Sequence, residues 1–235
     1  MRTPKHHLPL LESVVATLDP LCPRFVFVGG CDTGLLITEA ATPPVRTTRD
    51  VDIDVMVEIV SIGDYHTLER QLEQAGLRHD RSPDAPVCRW PAGSALLDVM
   101  PTDKAVLGFG NRWYEEAVRT VVTHVLPSGT SIRLISAPVF MPTKLGAFAD
   151  RGHGDFLASH DLEDITTIVD GRPELGDETA VASLDIREHL STQVGALLES
   201  RAFHNALPGD LPGDSASQAR VPLILEHLQR LWRLV

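Results

Sequence analysis

The spacing of apolar residues predicts helices at both ends of the chain. Residues 8–19, LPLLESVVATLD, carry Leu and Val at intervals of three and four, which is the periodicity of one helix face. Residues 216–233 carry a similar stripe, which is more typical of core packing than of a partner surface. The same periodicity predicts further helices at residues 32–41, 64–75, 139–150, 160–169 and 184–200.

Strands are predicted in residues 25–135, where they alternate with the helices of the first part of the chain. The apolar run at residues 25–28 fits a short buried strand, and residues 50–58 alternate acidic and β-branched side chains. Residues 94–100, SALLDVM, predict another strand, which ends at a proline. Residues 121–126 and 131–135 flank Pro-Ser-Gly-Thr, a pattern that predicts a hairpin.

Strand signals stop near residue 136, and the pattern beyond that point is helical. The chain has 235 residues, which is enough for one large domain or two small ones. We therefore predict an α/β domain over residues 1–136 and an all-α domain over residues 137–235. Within the first domain, residues 80–92 are rich in Pro and Asp and predict a loop.

Composition narrows the class of protein. The formal net charge of −11 argues against a protein whose main work is to grip a nucleic-acid backbone, although a local basic cleft stays open. The three cysteines form no CxxC pair, which favours a reducing cytoplasm, and the histidines show no zinc-binding spacing. No signal peptide and no apolar run long enough to span a membrane are expected.

A row of acids in the predicted strand 50–58 is the first candidate for chemistry. Asp50, Asp52 and Asp54 alternate with apolar residues, so their side chains share one face of the strand. Three like charges on one face repel each other, and either solvent or a divalent cation has to offset that repulsion. Both readings stay open: a solvated acidic face, or a metal site with hard oxygen ligands.

Two further segments of the α/β part carry candidate residues. Gly29 and Gly30 lie between a strand and a helix, where backbone N–H groups suit a phosphate, although a tight turn without ligand explains such a pair equally well. Asp98 is the one charged residue in 94–100, and a lone acid in a buried strand needs a partner. That partner is either a neighbouring arginine or a metal ion shared with Asp50 and Asp52.

The helical part offers a lysine and a pair of acids. Lys144 follows Pro142 in an apolar helical segment, where a lysine often only extends its charge to the surface. Ser159 fits an N-cap, and Asp161 and Asp164 are three residues apart and hence neighbours on one helix face. Capping accounts for Asp161, and it accounts for Asp164 less well.

The order of these motifs resembles the nucleotidyltransferase-fold superfamily, and within it the AbiEii-type branch of toxin–antitoxin and phage-defence systems. The motifs are a Gly-Gly pair, RxTxDVD, a strand with a lone Asp, a helical lysine and DxxD, spread over residues 24–170. The resemblance implies an α/β (α+β) fold, with a nucleotidyltransferase-type mixed sheet and flanking helices followed by an all-α C-terminal part. It also implies that residues 137–235 complete the nucleotide cleft.

The resemblance implies three metal-binding carboxylates. Asp50 and Asp52 match the DxD pair, and Asp98 matches the third acid, which acts as a base toward the acceptor hydroxyl in many members. Asp52 and Asp54 also spell DxD, and the spacing from the RxTxD segment favours the first pair. The implied catalytic set is Asp50, Asp52, Asp98, Lys144 and Asp161.

The resemblance also implies a nucleotide-binding set. The glycine turn would hold the phosphates, and it departs from the family in having Gly30, followed by Cys31, where serine is common. Lys144 matches the lysine that contacts the triphosphate, and Asp161 matches the downstream acid of the DxxD motif. The implied nucleotide-binding residues are Gly29, Gly30, Arg46, Thr48, Lys144 and Asp164.

The implied activity is Mg²⁺-dependent transfer of an NMP from an NTP to an acceptor hydroxyl, with two Mg²⁺ ions. The branch implies the toxin-like component of a toxin–antitoxin or defence system, acting in the cytoplasm on RNA such as tRNA or on protein, with an antitoxin as partner. One alternative is a small-molecule nucleotidyltransferase of the aminoglycoside-modifying kind, whose cationic substrates suit the charge of −11. A further alternative is a non-catalytic module that binds a nucleotide or a partner protein.

Overall fold

A computed structural model of the protein describes residues 8–43, 52–151 and 154–235. Its strands are β1 Phe25–Phe27, β2 Asp52–Val57, β3 Arg89–Ala92, β4 Ala95–Pro101, β5 Val122–Val125 and β6 Ser131–Leu134. In this part of the chain, six strands form one sheet in the order β3-β4-β2-β1-β6-β5. β2 runs parallel to β4 and β1 parallel to β6, whereas the pairs β1–β2, β3–β4 and β5–β6 are antiparallel.

Helices alternate with the strands along the chain, and helices also make up the C-terminal part. In the first part they are α1 Leu8–Leu18, α2 Thr33–Leu36, α3 Ile62–Gln74, α4 Lys104–Leu107 and α5 Tyr114–Arg119. In the second part they are α6 Ala137–Arg151, α7 His160–Gly171, α8 Leu175–Ala180, α9 Leu184–Glu199, α10 Arg201–Ala206, α11 Ser215–Gln218 and α12 Val221–Trp232. The predicted fold class, a mixed sheet with flanking helices followed by an all-α part, is confirmed.

The described chain divides into two compact units. Residues 8–35 and 52–136 form the first, the α/β unit, which contains the whole sheet. Residues 36–43, 137–151 and 154–235 form the second, the helical unit. No helix in the described residues is both long enough and apolar enough to cross a membrane.

The core of the α/β unit is centred on β1 and β2. All three residues of β1 are buried, as expected for a strand with neighbours on both sides. In β2, Ile53 and Val55 are buried while Asp52 is exposed and Asp54 half-buried, so the predicted alternation is present from Asp52 to Val55; beyond it Met56 and Val57 are both buried. Asp50 and Val51, the first residues of the predicted strand, lie outside the described residues.

Two predicted elements differ from the structure. The helix predicted at 32–41 is only one turn long, α2, because the backbone N–H groups of Thr38 and Glu39 both donate to the carbonyl of Gly171, each at 2.9 Å. The loop predicted at 80–92 ends in strand β3, which pairs with β4 through a turn at Gly93, whose φ is +65°. Local composition predicted neither outcome, because long-range hydrogen bonds decide both.

Apolar packing and a buried ion pair between α7 and Arg220 contribute to holding the helical unit together. The stripe predicted on the last helix is confirmed as core at Ile224, Leu228 and Leu231, which face α9 and α7, whereas Trp232 at its end is 45% exposed. Asp170, which is 1% exposed, accepts hydrogen bonds of 2.7 and 2.8 Å from Nε of Arg220. A buried carboxylate with such a partner fixes the position of α7 within this unit.

Candidate functional site

The glycine turn lies at the end of β1 and packs directly against β2. Val28 donates its backbone N–H to the carbonyl of Asp54 at 3.0 Å, and Gly29 follows in an extended conformation. A Cβ at Gly29 would lie 2.9 Å from the backbone nitrogen of Asp54 and 3.0 Å from its Oδ2. The backbone N–H of Gly29 donates to Oδ2 of the fully buried Asp32 at 2.9 Å. Gly29 therefore has a packing reason to be glycine, whatever ligand the turn holds.

Acidic side chains from β2 and β4 meet on one face of the sheet beside this turn. Asp52 and Asp54 are two residues apart on β2, and the parallel register places Asp98 of β4 directly level with Asp54. The Asp52 side chain is 49% exposed, Asp54 is half-buried, and the Asp98 side chain is 11% exposed. Acids of the two strands thus lie side by side, but the residue level with Asp98 is Asp54, and the predicted grouping of Asp98 with Asp50 and Asp52 stays a prediction.

Three predicted site residues cannot be placed beside these acids. Asp50, Arg46 and Thr48 lie outside the described residues. The assignment of the DxD pair to Asp50 and Asp52, and the roles of Arg46 and Thr48, stay predictions.

The partner of Asp98 is Arg89, which the sequence did not single out. Nε of Arg89 donates to Oδ1 of Asp98 at 2.8 Å, and Nη2 donates to Oδ2 at 2.7 Å. The same Nη2 lies 3.6 Å from Oδ1 of Asp52. The hydrogen bond to Asp98 raises the pKa of Arg89 above its usual range, with smaller contributions from the charges of Asp98 and Asp52. An arginine was one of the two partners considered from the sequence, and the metal ion stays a prediction.

Cys88, the residue before Arg89, has a thiol whose pKa is raised. Burial, and then the nearby Asp98 carboxylate, raise the pKa of the Cys88 thiol to about 12. The thiol is therefore expected to stay protonated at neutral pH.

The donor set fits Mg²⁺ in its chemistry, because three carboxylates on one sheet face supply the hard oxygens that this ion takes. Their present arrangement is not that of a metal site: no group of three metal-ligating side chains in the described chain is placed to hold an ion together. The reason at Asp98 is plain, since both of its oxygens accept hydrogen bonds from Arg89.

The lysine and the acid pair of the helical unit form a second cluster. The ammonium group of Lys144 lies 2.7 Å from Oδ2 of Asp164 and 3.3 Å from Oδ1 of Asp161. Lys144 is only 8% exposed and lies over the ring of Phe140, 5.5 Å from its centroid. The alternative of a lysine that merely reaches the surface is wrong, because two carboxylates hold its charge inside the unit.

Local sequence explains how this cluster forms. Ser159 caps α7 by accepting the N–H of Leu162 at 3.3 Å, as predicted, and Asp161 and Asp164 then lie one turn apart on the side that meets α6. Pro142 does not lie in the first turn, since α6 begins at Ala137 and the proline is inside the helix. The apolar residues before Pro142 extended the helix toward its N-terminus.

Comparisons with known proteins bear on the fold. JHP933 from Helicobacter pylori is similar in structure, with a TM-score of 0.50 and 13% sequence identity over 99% of this chain and 93% of that chain. The structure of a candidate nucleotidyltransferase from H. pylori has a TM-score of 0.48 and 13% identity over 99% of this chain and 96% of that chain. No protein-family model and no curated protein matches the chain. At this identity, the likeness to JHP933 shows a shared fold and nothing about activity.

Proposed function

We propose that the protein is a Mg²⁺-dependent nucleotidyltransferase that moves an NMP from an NTP to an acceptor hydroxyl. The observation that carries the proposal is the row of carboxylates, Asp52, Asp54 and Asp98, on adjacent strands beside the glycine turn of β1. Carboxylates placed in this way are suited to a divalent ion and the phosphates it carries. The order of the sequence motifs supports the same reaction.

The proposed reaction assigns a task to three acids, Asp50, Asp52 and Asp98. The oxygen of the acceptor hydroxyl attacks the α-phosphorus, the bond to the bridging oxygen breaks, and pyrophosphate leaves. Asp98 would take the proton of the hydroxyl at a carboxylate oxygen, and Asp50, Asp52 and Asp98 would together hold the two Mg²⁺ ions. When bound, the ions would neutralise charge on the triphosphate and on the leaving pyrophosphate.

The remaining residues are proposed to bind the nucleotide. The glycine turn is proposed to contact the phosphates through the backbone of Gly30, since the N–H of Gly29 donates to Asp32, and Arg46 and Thr48 add side-chain donors. In the helical unit, Lys144 is proposed to contact the triphosphate while Asp161 and Asp164 hold its ammonium group in place, a placement supported by the two ion pairs.

The acceptor is proposed to be RNA, such as tRNA, or a protein, with the enzyme acting in the cytoplasm as the toxin-like component of a toxin–antitoxin or defence system. An antitoxin protein is the expected partner. The net charge of −11 favours a second candidate, a small cationic acceptor of the aminoglycoside kind, because an acidic protein attracts cations and repels a nucleic-acid backbone.

The test is to incubate the purified protein with each NTP, labelled at the α-phosphate, together with Mg²⁺. Separate reactions contain tRNA, whole-cell extract or an aminoglycoside. We expect one NTP to label one class of acceptor, and Asp52→Asn to lower the rate roughly 100-fold or more, because a bound metal contributes several kcal/mol to the transition state. Asp84→Asn, which removes a charge from an exposed loop, is the matched control and should retain wild-type activity.

The same assay decides which DxD pair acts. Asp50→Asn should abolish transfer and Asp54→Asn should be far milder, since the spacing from the RxTxD segment favours Asp50. The opposite result would shift the pair to Asp52 and Asp54, which lie level with Leu96 and Asp98 on β4. Absence of label with every NTP and acceptor, or a fully active Asp52→Asn protein, would remove the proposed activity.

A further inference from the structure

Arg89 is built into the sheet at the position that brings it to the site carboxylates. The antiparallel register of β3 and β4 places Arg89 directly opposite Asp98. Its guanidinium makes two parallel hydrogen bonds to Asp98 and lies 3.6 Å from Asp52. A planar, permanently charged fork is well matched to a carboxylate, so this pairing is set by geometry as well as by charge.

This pairing takes up the same oxygens that a divalent ion needs. The guanidinium neutralises Asp98 and reduces the charge that Asp52 presents, which relieves the repulsion along the acidic face in the absence of metal. An ion that binds Asp98 has to compete with two charge-assisted hydrogen bonds, and it meets a positive charge within a few ångströms.

The surroundings of Arg89 allow its side chain to move away from Asp98. β3 is the edge strand of the sheet, and the Arg89 side chain is 19% exposed, so part of it already faces solvent. Because a guanidinium is weakly hydrated, water compensates only partly for the two hydrogen bonds to Asp98, so the bound ion has to exceed that cost.

We propose that Arg89 is a stand-in cation: it occupies Asp98 and Asp52 when no metal is bound, and metal binding requires it to release Asp98. The inference rests on the proposed function, since it concerns the metal site of that reaction. Arg89 is therefore a positioning residue that sets the affinity for the divalent ion, and it does not itself touch the nucleotide.

The test measures Mn²⁺ binding to the full-length protein without nucleotide, by calorimetry and by the electron paramagnetic resonance signal of free Mn²⁺. Arg89→Gln, which loses both the charge and the fork, should bind Mn²⁺ about tenfold or more tightly than the wild type. Arg89→Lys keeps the charge and loses the fork, and it should fall between the two. Arg119→Gln is the matched control, because it removes an arginine paired with a carboxylate at 2.7 Å on exposed helix α5, and its affinity should be unchanged.

Thermal melting supplies a second readout. Without metal, Arg89→Gln should melt below the wild type, and saturating Mn²⁺ should raise its melting temperature by more than it raises that of the wild type. If Arg89→Gln does not fold, Arg89→Lys is the test variant. It has to bind Mn²⁺ more tightly than the wild type does.

The outcomes separate this inference from the proposed function. Wild-type Mn²⁺ affinity in both Arg89→Gln and Arg89→Lys would overturn the stand-in role while leaving the metal site intact. Tighter binding in the Gln variant alone, with the Lys variant equal to the wild type, would also overturn it, because net charge and not occupation of Asp98 would then set the affinity. Failure of every variant and of the wild type to bind Mn²⁺ would remove the metal site and this inference with it.

Discussion

Gly29 is constrained by a neighbour on the next strand rather than by its own backbone angles. Its φ is −76° and its ψ is 172°, an extended conformation that any residue adopts. The restriction is steric, because the backbone nitrogen and side chain of Asp54 occupy the space that a Cβ needs. The glycine turn and β2 thus pack directly against each other, so a substitution in one changes the packing of the other.

Gly29→Ala should therefore destabilise the α/β unit by about 1–3 kcal/mol, the usual cost of forcing an extra carbon into a packed site. Urea unfolding at equilibrium measures the change. Gly63→Ala in α3 is the control, since the atom nearest to its added Cβ is Oγ of Ser61 at 3.9 Å. It should be about 0.5–1 kcal/mol more stable than the wild type, because alanine favours a helix over glycine. A Gly29→Ala protein as stable as the wild type would mean that β2 moves aside without cost.

For individual residues, the sequence predicted that Asp98 needs a counter-charge but did not identify the residue that supplies it. A lone acid in the apolar run 94–100 indicated that Asp98 needs a counter-charge, and the structure places one there. The sequence could not identify Arg89, because the choice depends on the register of a strand within a segment that its prolines and aspartates marked as a loop. Lys144 is similar: its helix was predicted, but its burial depends on the packing of α6 against α7.

Among the elements, those with strong local periodicity were predicted with nearly correct ends. α1, α3, α7 and α9 begin and end within two residues of the predicted bounds. The helix predicted at 216–233 is divided into α11 and α12, because Pro222 fits only in a first helical turn. The cause here is local, unlike the shortening of α2, which follows from hydrogen bonds to the carbonyl of Gly171.

Asp210 links the turn that follows α10 to α7, and it gives the helical unit a pH dependence. Burial raises the pKa of Asp210 to about 6; the hydrogen bond from Thr166, at 2.8 Å, opposes that shift, and the charge of Glu163 adds to it. The unfolded chain has the ordinary pKa of about 3.9. The folded state therefore binds more protons between these values, so this contribution to stability is full below about pH 4 and is lost as the pH rises through 6.

Asp210→Asn should remove this loss, because the amide cannot ionise and its oxygen still accepts from Thr166. We expect the variant to be more stable than the wild type at pH 7.5, with a flatter stability curve between about pH 4 and 6, measured by urea unfolding at each pH. Asp214→Asn is the comparison of opposite sign, since hydrogen bonds from Ser217 lower the pKa of Asp214. Equal pH slopes in the wild type and in Asp210→Asn would show that Asp210 ionises freely in the folded protein.

At the scale of the whole molecule, the candidate residues are divided between the two units. The glycine turn and the carboxylates of β2 and β4 belong to the α/β unit, whereas Lys144, Asp161 and Asp164 belong to the helical unit. The motif order along the sequence predicts that both sets take part in one reaction. That assignment makes Lys144 the most informative residue of the helical unit.

Lys144→Ala should have two effects that differ in origin. Loss of the ammonium group leaves Asp161 and Asp164 close together and nearly buried, so the melting temperature should fall by an amount corresponding to about 3 kcal/mol or more. If Lys144 also contacts the triphosphate, kcat/KM per folded molecule should fall roughly 10- to 150-fold, the value of a charge-assisted hydrogen bond of about 1.5–3 kcal/mol.

Lys144→Arg separates these two effects. Arginine restores the positive charge between the two carboxylates, so most of the lost melting temperature should return, while its fork does not reproduce the position of the ammonium group on a phosphate. We therefore expect a nearly stable protein whose kcat/KM remains below that of the wild type, measured under conditions where both are fully folded. Wild-type kcat/KM in Lys144→Arg and in the folded fraction of Lys144→Ala would limit Lys144 to stabilising the helical unit, and the transfer reaction would then belong to the α/β unit alone.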